Sequence, residues 1–143
     1  MASVFEDRQL AYYPRMTDSL TPVHVPGAPT PVGPYSSAMI VGNLVYVSGQ
    51  SGRDPLTDAV AEDIETQTEQ VLANIRTILE AAGSSMAKVV RCGVFLTDMN
   101  EFKRMNTVYE RMFDGHKPAR TTVAVSELPV PGLRVEIDAI ALL

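Results

Sequence analysis

The sharpest hydrophobic pattern in the 143-residue chain lies between Asp63 and Ala82. Ile64, Val71, Leu72, Ile75, Ile78, Leu79 and Ala82 recur on one face at the 3.6-residue period, with Glu65, Glu69, Arg76 and Glu80 elsewhere. Gly83 follows as a C-terminal stop, so the pattern predicts an amphipathic helix. A second helix is predicted from Asp98, which has capping-box spacing to Glu101. Its apolar face is Phe102, Met105, Tyr109, Met112 and Phe113, and it ends at Asp114-Gly115. Around these helices the pattern is that of strands. Ala38–Val41 and Leu44–Ser48 flank Gly42-Asn43, a pair that tolerates the positive φ of a two-residue hairpin. GQSGRDPLTD (49–58) has the Gly, Pro and Asp content of a loop. KVVRCGVFL (88–96) reads as a buried strand, and 120–125 and 134–142 as two closing strands separated by LPVPG (128–132).

The order ββαβαββ predicts an α+β fold: one mixed sheet with both helices on one face. The other sheet face is then uncovered, and burying it against further copies of the chain is the simplest remedy, so a homo-oligomer is expected. Residues 1–27 stand apart as an arm holding Pro14, Pro22 and Pro26, with a 28–143 domain following. Proline removes donors and disfavours helix, so the arm is expected to be extended or loosely held, with Tyr12 and Tyr13 able to dock it.

Charge narrows the function classes. A net charge of -5 argues against a phosphate-backbone partner, because such binding is driven by Lys and Arg. The basic residues do thicken at Lys103, Arg104, Arg111, Lys117 and Arg120, but Glu101, Glu110 and Asp114 lie among them, as on a mixed solvated face. No apolar run approaches the ~20 residues of a membrane span. The N-terminal MASVFEDRQLAYYPRM has acids and no continuous apolar stretch, so no secretory signal is expected and a cytoplasmic location is the default.

Candidate chemistry concentrates on the closing strands. Alternation places Arg134, Glu136 and Asp138 on one face of the last strand, and Arg120, Thr122, Ala124 and Ser126 opposite the apolar Thr121, Val123 and Val125 of the strand before it. If the two strands pair, Arg120, Thr122, Glu136 and Asp138 share the face away from the helices. The plainest reading is a cross-strand ion pair contributing ~0.2–1 kcal/mol on a wet sheet face. The alternative is a site whose chemistry is organised around Arg120, with Glu136 as its partner. His24 and His116 lack neighbours at ligand spacing, so no metal is expected. Cys92, the one cysteine, lies in an apolar strand and reads as buried and inert. Ser48 has no histidine at a recognisable partner position, which argues against a Ser-His nucleophile.

Five stretches resemble the RidA/YjgF/UK114 family of reactive intermediate deaminases: PTPVGPYSSA (30–39), NLVYVSGQ (43–50), QTEQVLANIRTILEAAGSS (67–85), VFLTDMNEFKRMNTVYERMF (94–113) and KPARTTVAV with LPVPGLRVEIDAIA (117–141). The resemblance implies a chorismate-mutase-like fold and a homotrimer with a ligand cleft at each subunit interface. It implies a cofactor-free deaminase that hydrolyses 2-imino or 2-enamino acids to 2-keto acids and ammonia. By position, Arg120 matches the arginine that binds the substrate carboxylate and Glu136 the glutamate that handles water and protons. Tyr35, Ser48, Gly49 and Asn106 match positions lining the cleft. Thr122 stands where many members have a cysteine, so the oxidant sensitivity of those members is not expected here. Two other readings stay open: a pathway-dedicated aminomuconate or aminoacrylate deaminase, and a non-catalytic trimeric module that holds small carboxylates or acts like a chaperone.

Overall fold

The computed structural model describes residues 19–26 and 31–143. Residues 1–18 and 27–30, with the docking expected of Tyr12 and Tyr13, lie outside the described residues. The elements are β1 (Leu20–Pro22), β2 (Ala38–Val41), β3 (Leu44–Ser51), α1 (Ile64–Ala81), β4 (Val89–Leu96), α2 (Phe102–Phe113), β5 (Ala119–Ala124) and β6 (Val135–Leu142). They form an α+β fold in which one six-stranded mixed sheet, ordered β1-β2-β3-β6-β4-β5, is packed on one face by both helices.

The β2–β3 hairpin turns at Gly42, φ 58°, as its Gly-Asn pair predicts. α1 begins after Asp63, whose side chain accepts from the Thr66 backbone N–H and satisfies one orphan donor of the first turn. Its apolar stripe is fully buried at Ile64, Val71, Leu72, Ile75 and Leu79, against Val45, Val47, Val94, Ile137 and Ala139 from the sheet. Among the described residues no helix is long and apolar enough to cross a membrane.

Four expectations change. β1 forms within the proline-containing arm and pairs antiparallel with β2, Thr21 opposite Ile40. β3 runs on to Ser51 where a loop was expected from Gly49, because an irregularity between Val47 and Gln50 lets the strand continue along β6. Asp98 accepts from the Asn100 N–H and starts a 3-10 turn (Met99–Glu101) before α2. Glu101 closes no capping box; its carboxylate is buried and pairs with Arg134 at 3.0 Å.

The fourth change bears on function. β5 does not pair with β6. β4 lies between them, and β5 is an edge strand running parallel to β4. The register aligns Arg120 with Cys92 and Thr122 with Val94. Aligned residues on neighbouring strands project to one face, and Cys92 and Val94 lie in the helix-covered core. Arg120 and Thr122 therefore face the helices, while Thr121 and Val123 face away. The alternation misleads because the uncovered face is itself rich in apolar residues, including Tyr46, Phe95, Val123, Ile140 and Leu142, so Val123 is no guide to the core side.

Candidate active site

Arg120 leaves β5 beneath α2. Its guanidinium carbon lies over the Tyr109 ring, 4.6 Å from the centroid, and 5.7 Å from that of Phe102. Phe102, Asn106 and Tyr109 follow one another at i, i+4 and i+7 and so form a single stripe on α2. The other partly buried arginines have carboxylates: Arg53 with Asp58 at 2.8 Å, Arg134 with Glu101. Arg120 has none among the described residues. An aromatic bed with no counter-anion leaves the guanidinium's hydrogen-bonding edges available to an external anion. On the same side of β5 the Thr122 hydroxyl is buried without a hydrogen-bond partner, as is the Tyr109 hydroxyl. Cys92 is fully buried nearby, and burial pushes its thiol upward in pKa, away from the reactive thiolate.

Glu136 occupies the opposite face. In β6 it aligns with Ser51 on one side and Phe95 on the other. Its carboxylate lies over Gly49, where a Cβ would collide with Oε1. Burial raises its pKa above the ordinary carboxylate value, and the neighbouring Asp138 charge adds to the rise. Asp138 is held in turn by the Gly93 N–H at 2.8 Å. Ser48 donates to the Ser36 carbonyl at 2.7 Å, which ties β3 to the segment carrying Tyr35. Tyr35 and Gly49 line one wall of a cavity of about 290 Å³ that extends to Ser51, Arg53 and Asn74.

The predicted residues thus form two groups. Arg120, Thr122 and Asn106 stand on the helix side at the β5 edge; Tyr35, Ser48, Gly49 and Glu136 stand around β3 and β6. Within one chain Arg120 and Glu136 are two strands and three residues apart, roughly 10 Å in each direction, and on opposite faces of the sheet. The cross-strand ion pair is excluded. Phe102 and Tyr109 belong to the apolar face that the sequence predicts for α2; their spacing around Asn106 is the available signal that they flank a polar position. The basic thickening on α2 is neutralised as a mixed face would be, Arg104 by Glu65 and Arg111 by Glu69.

Residues 26–143 match the family described as endoribonuclease L-PSP. The chain belongs to that family. It is the RidA/YjgF group that the sequence stretches resemble. Within the L-PSP family the chain is 50% identical to a RutC family protein of Pyrococcus horikoshii over 115 residues, 80% of this chain and 90% of that protein. It is 43% identical over 117 residues to the 2-iminobutanoate/2-iminopropanoate deaminase of Salmonella typhimurium, covering 80% and 91%. The crystal structure of Escherichia coli TdcF with bound serine superposes on this L-PSP chain with a TM-score of 0.81 at 35% identity, covering 86% of this chain and 98% of that one.

Proposed function

We propose that the protein is a cofactor-free hydrolase that converts reactive 2-imino and 2-enamino acids to 2-keto acids and ammonia in clefts formed between copies of the chain. The observation that carries this is the separation of Arg120 from Glu136. An arginine without a carboxylate partner among the described residues and a carboxylate of raised pKa stand on opposite faces of one sheet, so a site that uses both is complete only where two copies meet. A homotrimer that buries the uncovered face accounts for both the exposed apolar residues and the split site.

Such a cleft suits the chemistry. Arg120 grips the substrate carboxylate bidentately and so fixes the adjacent C=N carbon. Water adds to that carbon while the Glu136 carboxylate takes its proton. That proton passes to nitrogen to give a carbinolamine; its hydroxyl proton then follows through the same carboxylate to nitrogen, the C–N bond breaks, and ammonia leaves as the C=O forms. Orientation and one proton relay suffice when the uncatalysed barrier is low.

The test is hydrolysis of 2-iminobutanoate generated in situ, with chain mass measured in parallel. Arg120→Ala loses at least two charge-assisted hydrogen bonds, hence about a hundredfold or more in kcat/KM. Arg120→Lys fails as well, since an ammonium has no fork. Near-normal turnover by Arg120→Ala overturns the reading, and so does a solution mass equal to the single 15.5 kDa chain.

A second reading, a carboxylate-binding module without turnover, is favoured by the serine bound to TdcF. Binding of serine through Arg120 with no hydrolysis of any imine would select it. The family description names an endoribonuclease, but the net charge of -5 and the ion pairing of Arg104 and Arg111 on α2 argue against RNA as the substrate.

A further inference from the structure

We infer that Tyr109 and Phe102 are positioning residues for Arg120, fixing its guanidinium so that a ligand carboxylate meets the N–H edge rather than the ring-facing side. This inference rests on the carboxylate-binding reading of Arg120 and concerns how that site is preorganised. Arginine is a long side chain, and ordering it on ligand binding costs conformational entropy. In most of the protein's partly buried arginines a carboxylate supplies the restraint: Asp58 for Arg53, Glu101 for Arg134. At Arg120 a carboxylate would restrain the fork but also occupy it. Aromatic rings restrain it without consuming a single N–H, because they attract the cation through their faces and accept none of its in-plane hydrogen bonds.

The geometry is built for this. Tyr109 is 7% exposed and packs on Phe113 with ring centroids 4.6 Å apart and planes tilted by 40°, so its ring is itself restrained. Its buried hydroxyl makes no hydrogen bond to Arg120, and the ring face is the part that meets the guanidinium. Phe102, one end of the same helical stripe, bounds the guanidinium at 5.7 Å. Asn106 stands between the two rings on that stripe at i+4 from Phe102.

The experiment has a ligand-free arm and a ligand arm on the intact protein. Without ligand, the Tyr109 ring current displaces the Arg120 Nε–H resonance from the position of exposed arginines. Tyr109→Leu returns it, and Tyr109→Phe leaves it displaced. A wild-type resonance already at the exposed position overturns the inference whatever the protein's activity. With 2-oxobutanoate as the binding probe, Tyr109→Leu weakens binding roughly tenfold, the range of a partly desolvated cation–π contact, while Tyr109→Phe rescues it. Phe102→Leu, at the more open ring, gives a smaller loss in the same direction and keeps the test available if Tyr109→Leu fails to fold. Wild-type affinity in folded Tyr109→Leu, with binding abolished in Arg120→Ala, overturns the positioning role and leaves the carboxylate site standing. Arg120-independent binding in the wild type overturns both.

Discussion

At the level of single residues, the closest approach in the site is between Glu136 and the backbone at Gly49. No side chain other than hydrogen fits beneath the carboxylate, so Gly49→Ala must push Glu136 aside. The expected result is a kcat lowered by up to about a hundredfold, the scale of a misplaced catalytic group, with 2-oxobutanoate binding retained. Equal losses in kcat and binding would place Gly49 in ligand contact instead. Glu136 also gives a pH signature of definite sign. Its folded pKa is raised above 4.5 by burial and by Asp138, so folding is favoured with the proton on. That contribution is fully present below 4.5 and is lost as pH rises through the folded value. Denaturant unfolding should show wild type losing stability relative to Glu136→Gln as pH climbs from 4.5 toward neutrality, and parallel profiles would refute it. The acid limb of kcat/KM moves with the same group, above the ordinary carboxylate range.

The secondary elements show where sequence patterns inform and where they mislead. α1 was legible because its stripe has one covered side, and periodicity then maps directly onto burial. Its cap is equally local. Asp63→Ala removes the acceptor for the Thr66 N–H and should cost about 1 kcal/mol in denaturant unfolding, with Asp63→Ser restoring most of it. A change below a few tenths would show that the first turn is held by packing alone. β5 was legible as a strand but not in orientation. Its alternation is weak, ARTTVA with threonine on both sides, and the apolar residues of the uncovered face mimic a core. Strand order is also a long-range property. Nothing local to 119–142 indicates that β4 enters between β5 and β6, and that insertion decides which way Arg120 points. Arg120, Thr122 and Glu136 stand out by strand alternation, Tyr35, Ser48, Gly49 and Asn106 come with the family resemblance, and the grouping into two sets comes only with the register.

For the molecule as a whole, the sheet is a partition with half of the proposed chemistry on each side. The proposed cleft, made by two copies, takes its Arg120 from one and its Glu136 from the next. That arrangement has a genetic reading. On the proposed two-copy site, a chain carrying Arg120→Ala and a chain carrying Glu136→Ala should each be inactive alone and should complement when co-expressed. In randomly mixed trimers about a quarter of the clefts inherit an intact arginine from one allele and an intact glutamate from the other. Activity should therefore return to roughly that fraction of wild type on co-assembly. Recovery should be absent when the separately purified proteins are mixed without subunit exchange, and absent when both substitutions are carried by the same chain. A cleft contained within one chain could never show it. The two-faced placement of Arg120 and Glu136 thus predicts a pattern of inheritance between alleles, readable in a growth assay.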